Sequence, residues 1–139
     1  MQIDTSTPFG ARAANRLAND QLGWLTTVGK DGTPHPKPVW FLPQGEDILI
    51  YSRPHTAKIA HIARNPRVSL NLDGDGHGGD IVILAGSARI DESLPPAHQL
   101  PEYVAKYENG MNRVTGSPES FAAAYSIGIR FTPEKLSGH

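Results

Sequence analysis

The sequence predicts a mainly antiparallel α+β domain of barrel-like form, and three observations predict it. Short β-prone runs separated by turn residues recur at Trp24–Val28, His35–Leu42, Ile48–Tyr51, Val68–Leu72, Ile81–Ile90 and Ile127–Phe131. One stretch, through Ile59, Ile62 and Ala63, changes to helical spacing between the third and fourth of these runs. Length and composition allow one real core and no more: 139 residues, 38% of them apolar, with a net charge of −1. A single domain over 1–139 is expected, with about six strands and short flanking helices.

The elements follow in order. Ser6-Thr7-Pro8 puts a hydroxyl cap before a proline, so a helix starts there and runs through Ala11, Ala14, Leu17 and Ala18 to stop near Asn19. Asp31-Gly32 is a hairpin turn between the first two strands. The third strand, Ile48-Leu49-Ile50-Tyr51, is apolar at consecutive positions, as befits a strand buried on both faces. Asn65-Pro66 ends the internal helix, because the residue before proline is pushed out of the α region. Val68, Leu70 and Leu72 alternate with polar residues, and the glycine-rich stretch from Asp73 to Gly79 connects to a long strand in which Gly86 marks a bulge or sharp bend. Pro101 opens a helix expected to reach Glu108 and to exit at Asn109-Gly110; Ser117-Pro118 opens another through Phe121 to Ala124. A last strand carries Ile127, Ile129 and Phe131.

Composition removes several chemistries. With no cysteine there is no disulfide, thiolate nucleophile, zinc ribbon or iron–sulfur cluster. Lys and Arg are scattered, so no nucleic-acid footprint exists. The N-terminal MQIDTSTPFGARAANRL lacks the apolar core of a signal peptide, and no run is long enough to span a bilayer, so a cytoplasmic protein without a membrane partner is expected. The histidines show no metal-ligand spacing. LDGDGHGGD fails the calcium-loop template because the twelfth position from Asp73 is Leu84. No G-x-S-x-G elbow occurs, and the glycines at 74, 76, 78 and 79 are followed by no P-loop lysine and hydroxyl.

Two segments carry chemistry. In GTPHPKPVWF, Pro34, Pro36 and Pro38 are spaced by two, so all three missing N–H donors belong to one side of a strand. That strand must lie at an edge, with Val39, Trp40 and Phe41 regaining donors where a planar ring could lie against the backbone. Prolines so placed also blunt an edge against aggregation, and a second subunit could cover it. In YSRPHTAKIAHIARNP, a strand ends at Tyr51-Ser52 and a helix starts near His55 or Thr56. The unpaired amides and positive dipole end of that first turn, the hydroxyls of Ser52 and Thr56 and the charges of Arg53 and Lys58 together make an anion site. The same residues read equally as solvated surface cations and a plain helix cap.

Taken together, WLTTVGKDGTPHPKPVWF and ILIYSRPHTAKIAHIARNPRVSLNLDGDGHGGDIVILAGSARI resemble the pyridoxamine-5′-phosphate-oxidase-like superfamily, and within it the actinobacterial branch dependent on the deazaflavin coenzyme F-420. PVWF, YSxxxTAKxxxIxxNPRVSL and GDGxGGDIV carry the likeness. The resemblance implies a split β-barrel, a homodimer with two cofactor sites at its interface, and hydride transfer between the coenzyme and a small conjugated substrate. It matches Lys58 to the lysine that meets the cofactor phosphate, with Thr56 and Ser52 as nearby hydroxyls and Tyr51 beneath them, and matches Pro38, Val39 and Trp40 to the strand beside the ring. Arg53 adds charge to the same turn. FMN is the alternative coenzyme, and a non-catalytic binder of flavin, deazaflavin or haem is the alternative class. Two departures matter. Ala57 stands where the oxidase proper has an arginine, and TPEKLSGH lacks that enzyme's C-terminal signature, which argues against a vitamin B6 oxidase. Glu134, Lys135 and His139 also replace the basic, aromatic-capped tail common in the deazaflavin branch. No catalytic acid–base pair is nominated.

Overall fold

Each β-prone run has at least one apolar face to bury, and pairing side by side is how short strands do so. In the computed structural model, which describes residues 1–139, they form one seven-stranded sheet: β1 (Leu22–Val28), β2 (Pro34–Trp40), β3 (Leu42–Gln44), β4 (Asp47–Ser52), β5 (Arg67–Leu72), β6 (Val82–Ile90) and β7 (Ile127–Gly138). Every pairing is antiparallel, and the spatial order is β2-β1-β5-β6-β7-β4-β3. The two margins, β2 and β3, are consecutive in the chain with only Phe41 between them. The sheet therefore has to curl until its margins meet there, which makes it a split β-barrel. Around it stand α1 (Pro8–Asn19), α2 (Ala57–Arg64), α3 (Pro101–Thr115) and α4 (Pro118–Ala124).

Two apolar clusters hold these layers. Leu25, Leu70, Leu84, Ile48, Ile50, Ile129 and Phe131 fill the barrel, closed by Ala13 and Leu17 of α1 and Ile62 of α2. Leu49 and Tyr51 point the other way from β4 and pack against Tyr103, Tyr107 and Met111 of α3 and Phe121 of α4. β4 is thus buried on both faces, as its unbroken apolar run predicts. Burying each such side chain is worth about 1.5–3 kcal/mol, so the outer cluster is what fixes α3 and α4 to the barrel.

The edge prediction agrees with the topology: β2 pairs only with β1, with Pro34, Pro36 and Pro38 opposite Val28, Thr26 and Trp24. α1 begins as expected, Thr7 Oγ1 accepting from Gly10 N at 3.0 Å. At Gly86 the ladder with β7 shifts register, and a Cβ there would lie 2.1 Å from the Thr132 carbonyl oxygen, so only glycine fits the bulge.

Three boundaries differ from the sequence reading. The strand expected over His35–Leu42 is two strands, because the chain leaves one margin at Phe41 to join the other. The last strand continues to Gly138 along β6, so all of TPEKLSGH but His139 is sheet and not a tail. The largest correction concerns α3, which runs through Asn109-Gly110 to Thr115 and exits at Gly116, whose φ of 90° is the left-handed conformation of a helix C-terminus. Gly110 is there for another reason: a Cβ on it would come within 2.7 Å of Trp40 Cη2.

Candidate functional site

Curling the sheet brings the end of β2 beside the end of β4, and the α3–α4 pair covers the junction. Between them lies a cavity of about 370 Å³. Pro38, Val39 and Trp40 line it from β2, Tyr51 and Ser52 from β4, and Lys58 from the first turn of α2. Arg113 and Val114 of α3, Phe121 of α4, Tyr125 just beyond it and Leu22 of β1 complete the wall. The proline edge and the start of the internal helix, separate in sequence, thus share one space.

The wall is largely aromatic. Trp40 lies parallel to Tyr107 at 4.9 Å between centroids and to Phe121 at 5.2 Å, and Phe121 stacks on Tyr125 at 4.3 Å. Arg53 does not line the cavity. Its guanidinium sits 4.7 Å over the Tyr125 ring, so it braces a wall residue from behind. Tyr51 presents its ring alone, since its hydroxyl donates to the Pro95 carbonyl at 2.6 Å, and burial pushes its pKa up.

The turn into α2 is unusual in its backbone. His55 adopts a φ of 64°, a left-handed conformation that non-glycine residues rarely take, between the end of β4 and the start of α2. Thr56 stands at the helix cap without capping it; its hydroxyl is 3.2 Å from the Ser52 hydroxyl, which donates to the Arg53 carbonyl at 2.9 Å. The first-turn amides are therefore left without a side-chain acceptor. Lys58 is half-buried, makes no ion pair, and has its pKa lowered by burial and then by the nearby Lys37. A lysine in that state is short of negative charge, and a bound anion would favour its charged form.

A second groove, of about 420 Å³, continues from the first through the shared Pro38 and Lys58. Thr56 lines this groove rather than the cavity, together with Lys37, His35, His61 and Thr27. The His35 and His61 rings are 4.8 Å apart, and Thr27 Oγ1 lies 2.8 Å from His61 Nδ1. His61 has its pKa lowered by burial first, then by His35 and Arg64. No carboxylate lines either space. An aromatic cavity opening into a carboxylate-free groove with two lysines, two histidines and free helix amides fits a planar ring joined to an acidic chain. It holds no cluster fit for a metal ion.

Of the expected site residues, Lys58, Ser52, Tyr51, Pro38, Val39 and Trp40 meet in one cavity, Thr56 adjoins it and Arg53 stands behind its wall. Arg113, Phe121, Tyr125, His35, Lys37 and His61 escaped the sequence reading. Helical spacing does not tell which residue of α3 meets β2.

A family profile described as pyridoxamine 5′-phosphate oxidase matches residues 9–139. No curated protein is a significant match. Among solved structures, a conserved hypothetical protein of Mycobacterium tuberculosis is 26% identical, with 91% of this chain and 81% of that one covered and a TM-score of 0.68. An F-420 reductase is 22% identical over 88% of this chain and 94% of its own, TM-score 0.67. The haem storage protein HutZ of Vibrio cholerae is 14% identical over 99% and 95%, TM-score 0.63. The last two likenesses establish fold alone. No helix is long and apolar enough to cross a membrane.

Proposed function

Because the chain belongs to the pyridoxamine 5′-phosphate oxidase family, we propose that it is an oxidoreductase that binds coenzyme F-420 in the cavity between β2, β4 and α3–α4. The observation that carries this reading is the meeting of the Lys58 amine and the Pro38–Trp40 strand end on one 370 Å³ space. Lys58 and the first-turn amides of α2 hold the phosphate, and Pro38, Val39 and Trp40 seat the ring along the donor-stripped edge. The coenzyme, when bound, supplies the hydride; the protein's share is to hold it, orient the substrate and exclude water. Ser52 and Thr56, already hydrogen-bonded to each other, orient the turn and offer hydroxyls toward the acidic chain.

The choice of F-420 over FMN rests on the second groove. FMN ends in a single phosphate, which Lys58 alone would satisfy. Lys37 extends the cationic lining beyond it, and the ring nitrogens of His35 and His61 add hydrogen-bonding groups beside it, as an acidic tail past the phosphate requires. A relative described as an F-420 reductase is consistent with this choice. We also propose a homodimer: Leu22 and Val114, the two large apolar side chains most exposed in the chain, both stand at the cavity, where a second copy would cover them.

Parallel equilibrium titrations of the purified protein with coenzyme F-420 and FMN test the reading. Tighter binding of F-420 supports it; a yellow protein that retains FMN through purification assigns FMN instead; binding of neither, or of haem alone, removes it. A solution mass of twice the chain tests the dimer.

A further inference from the structure

A third concavity, of about 300 Å³, adjoins the cavity on its far side and shares Trp40 and Arg113 with it. It runs along one stripe of α3, where Lys106, Gly110 and Arg113 succeed one another at helical spacing. Its floor is flat because Gly110 has no side chain and Trp40 lies directly against the helix there. A glycine inside a helix costs about 1 kcal/mol, so this close approach is retained against a local penalty.

The two ends of the stripe are cationic, and neither cation forms an ion pair. Arg113 makes no hydrogen bond or ion pair and stands at the junction of the two spaces. Lys106 is half-buried; its Nζ donates to the Phe41 carbonyl at 2.9 Å and lies 4.1 Å from the centre of the Phe41 ring, which leaves two further N–H donors. Glu108 borders the same groove. Lys106 and Arg113 face one lining carboxylate, Glu108, while Asp20, which also acts on Lys106, is itself held by Arg16; the groove is thus weakly positive, which suits a monoanion better than a phosphate dianion. A carboxylate matches the planar fork of Arg113.

We propose that this groove is the substrate's acid subsite: it takes the carboxylate of a planar conjugated monocarboxylic acid, held by Arg113 with Lys106 adding charge, while the unsaturated part lies over Trp40 and reaches into the neighbouring cavity. The inference rests on the coenzyme reading for the word substrate, though the anion site itself stands without it.

The test uses coenzyme-free protein and two probes of one shape, cinnamate and the neutral cinnamamide, titrated by ligand-observed nuclear magnetic resonance. The wild-type chain is expected to bind cinnamate at least tenfold more tightly than cinnamamide. Arg113→Gln abolishes that preference, and Arg113→Lys keeps part of it. Equal binding of the two probes by the wild-type chain overturns the proposal, and so does a preference unchanged in Arg113→Gln, which would assign the carboxylate to the Lys58 side instead. The outcomes separate from those of the coenzyme titration. Coenzyme binding with no cinnamate preference removes the acid subsite alone; a cinnamate preference in a protein that binds neither coenzyme removes the coenzyme reading and leaves a carboxylate site.

Discussion

The Trp40 indole lies flat against Tyr107, the planes 4° apart and the centroids at 4.9 Å. Tyr107 does more than stack. Its hydroxyl accepts from the Phe41 N–H at 2.8 Å and lies 2.7 Å from the carbonyls of Phe41 and Gln21, to one of which it donates. Phe41 is the single residue at which the chain crosses from β2 to β3, so its peptide groups fall outside the sheet ladder there. Tyr107 and its neighbour Lys106 provide the missing partners, and α3 thereby closes the barrel at the point where the cavity forms.

Removing that hydroxyl should loosen the closure. Tyr107→Phe keeps the stack and leaves the Phe41 N–H, in a residue 0% exposed, without an acceptor. An unsatisfied buried donor costs about 1–3 kcal/mol, and a loss of that size is expected in urea unfolding. The attribution fails if the midpoint is unchanged while the unfolding slope is also unchanged.

Gly110→Ala sets two effects against each other. Alanine gains about 1 kcal/mol of helix propensity, and crowding in a packed interior costs about 1–3 kcal/mol. The new Cβ would sit 2.7 Å from Trp40 Cη2 and 2.9 Å from Cζ2, so the indole must move. Crowding wins: a net destabilisation of about 1 kcal/mol is expected, with a shift in tryptophan emission and weaker ligand binding. A variant more stable than the parent, with unaltered emission, would contradict the contact.

Much of this architecture is legible in the sequence, and the unread part has one cause. The cap at Thr7, the two-faced burial of β4, the proline edge and the end of α2 at Asn65-Pro66 all depend on neighbours a few residues away. Asn109-Gly110 reads as a helix exit by the same local logic, yet here the glycine answers Trp40, seventy residues earlier in the chain. Arg113 is invisible for the same reason, since nothing local marks it as the α3 residue that meets β2. Lys58 is legible because strand end, turn, cap and cation are contiguous.

For Lys58, the expected outcome is a loss of affinity that follows charge. Reversing it in Lys58→Glu should weaken coenzyme binding at least tenfold, as one close charged contact is worth about 1.5–3 kcal/mol. Burial and Lys37 hold its pKa below the ordinary lysine value, so the ammonium is lost earlier on the alkaline side than a surface lysine would lose it. Affinity should accordingly decline at lower pH than for a site built on an exposed lysine. Identical affinity of Lys58→Glu and the parent in a fluorescence titration would dissociate the amine from the ligand.

Lys106 gives the acid subsite a pH dependence with a definite sign. Burial lowers its pKa to about 8, partly opposed by Asp20. Bound carboxylate favours the protonated amine, so binding is strongest below that value and weakens as pH rises through it. Lys106 is the cation of the groove whose shift brings its titration into this interval. Cinnamate affinity should therefore fall several-fold, not vanish, between about pH 7 and about pH 9, because one of two cations remains. Lys106→Gln keeps a donor for the Phe41 carbonyl and removes the titration: its cinnamate affinity starts lower and stays level over the same interval. A wild-type profile as flat as that of Lys106→Gln would mean that the amine does not face the acid.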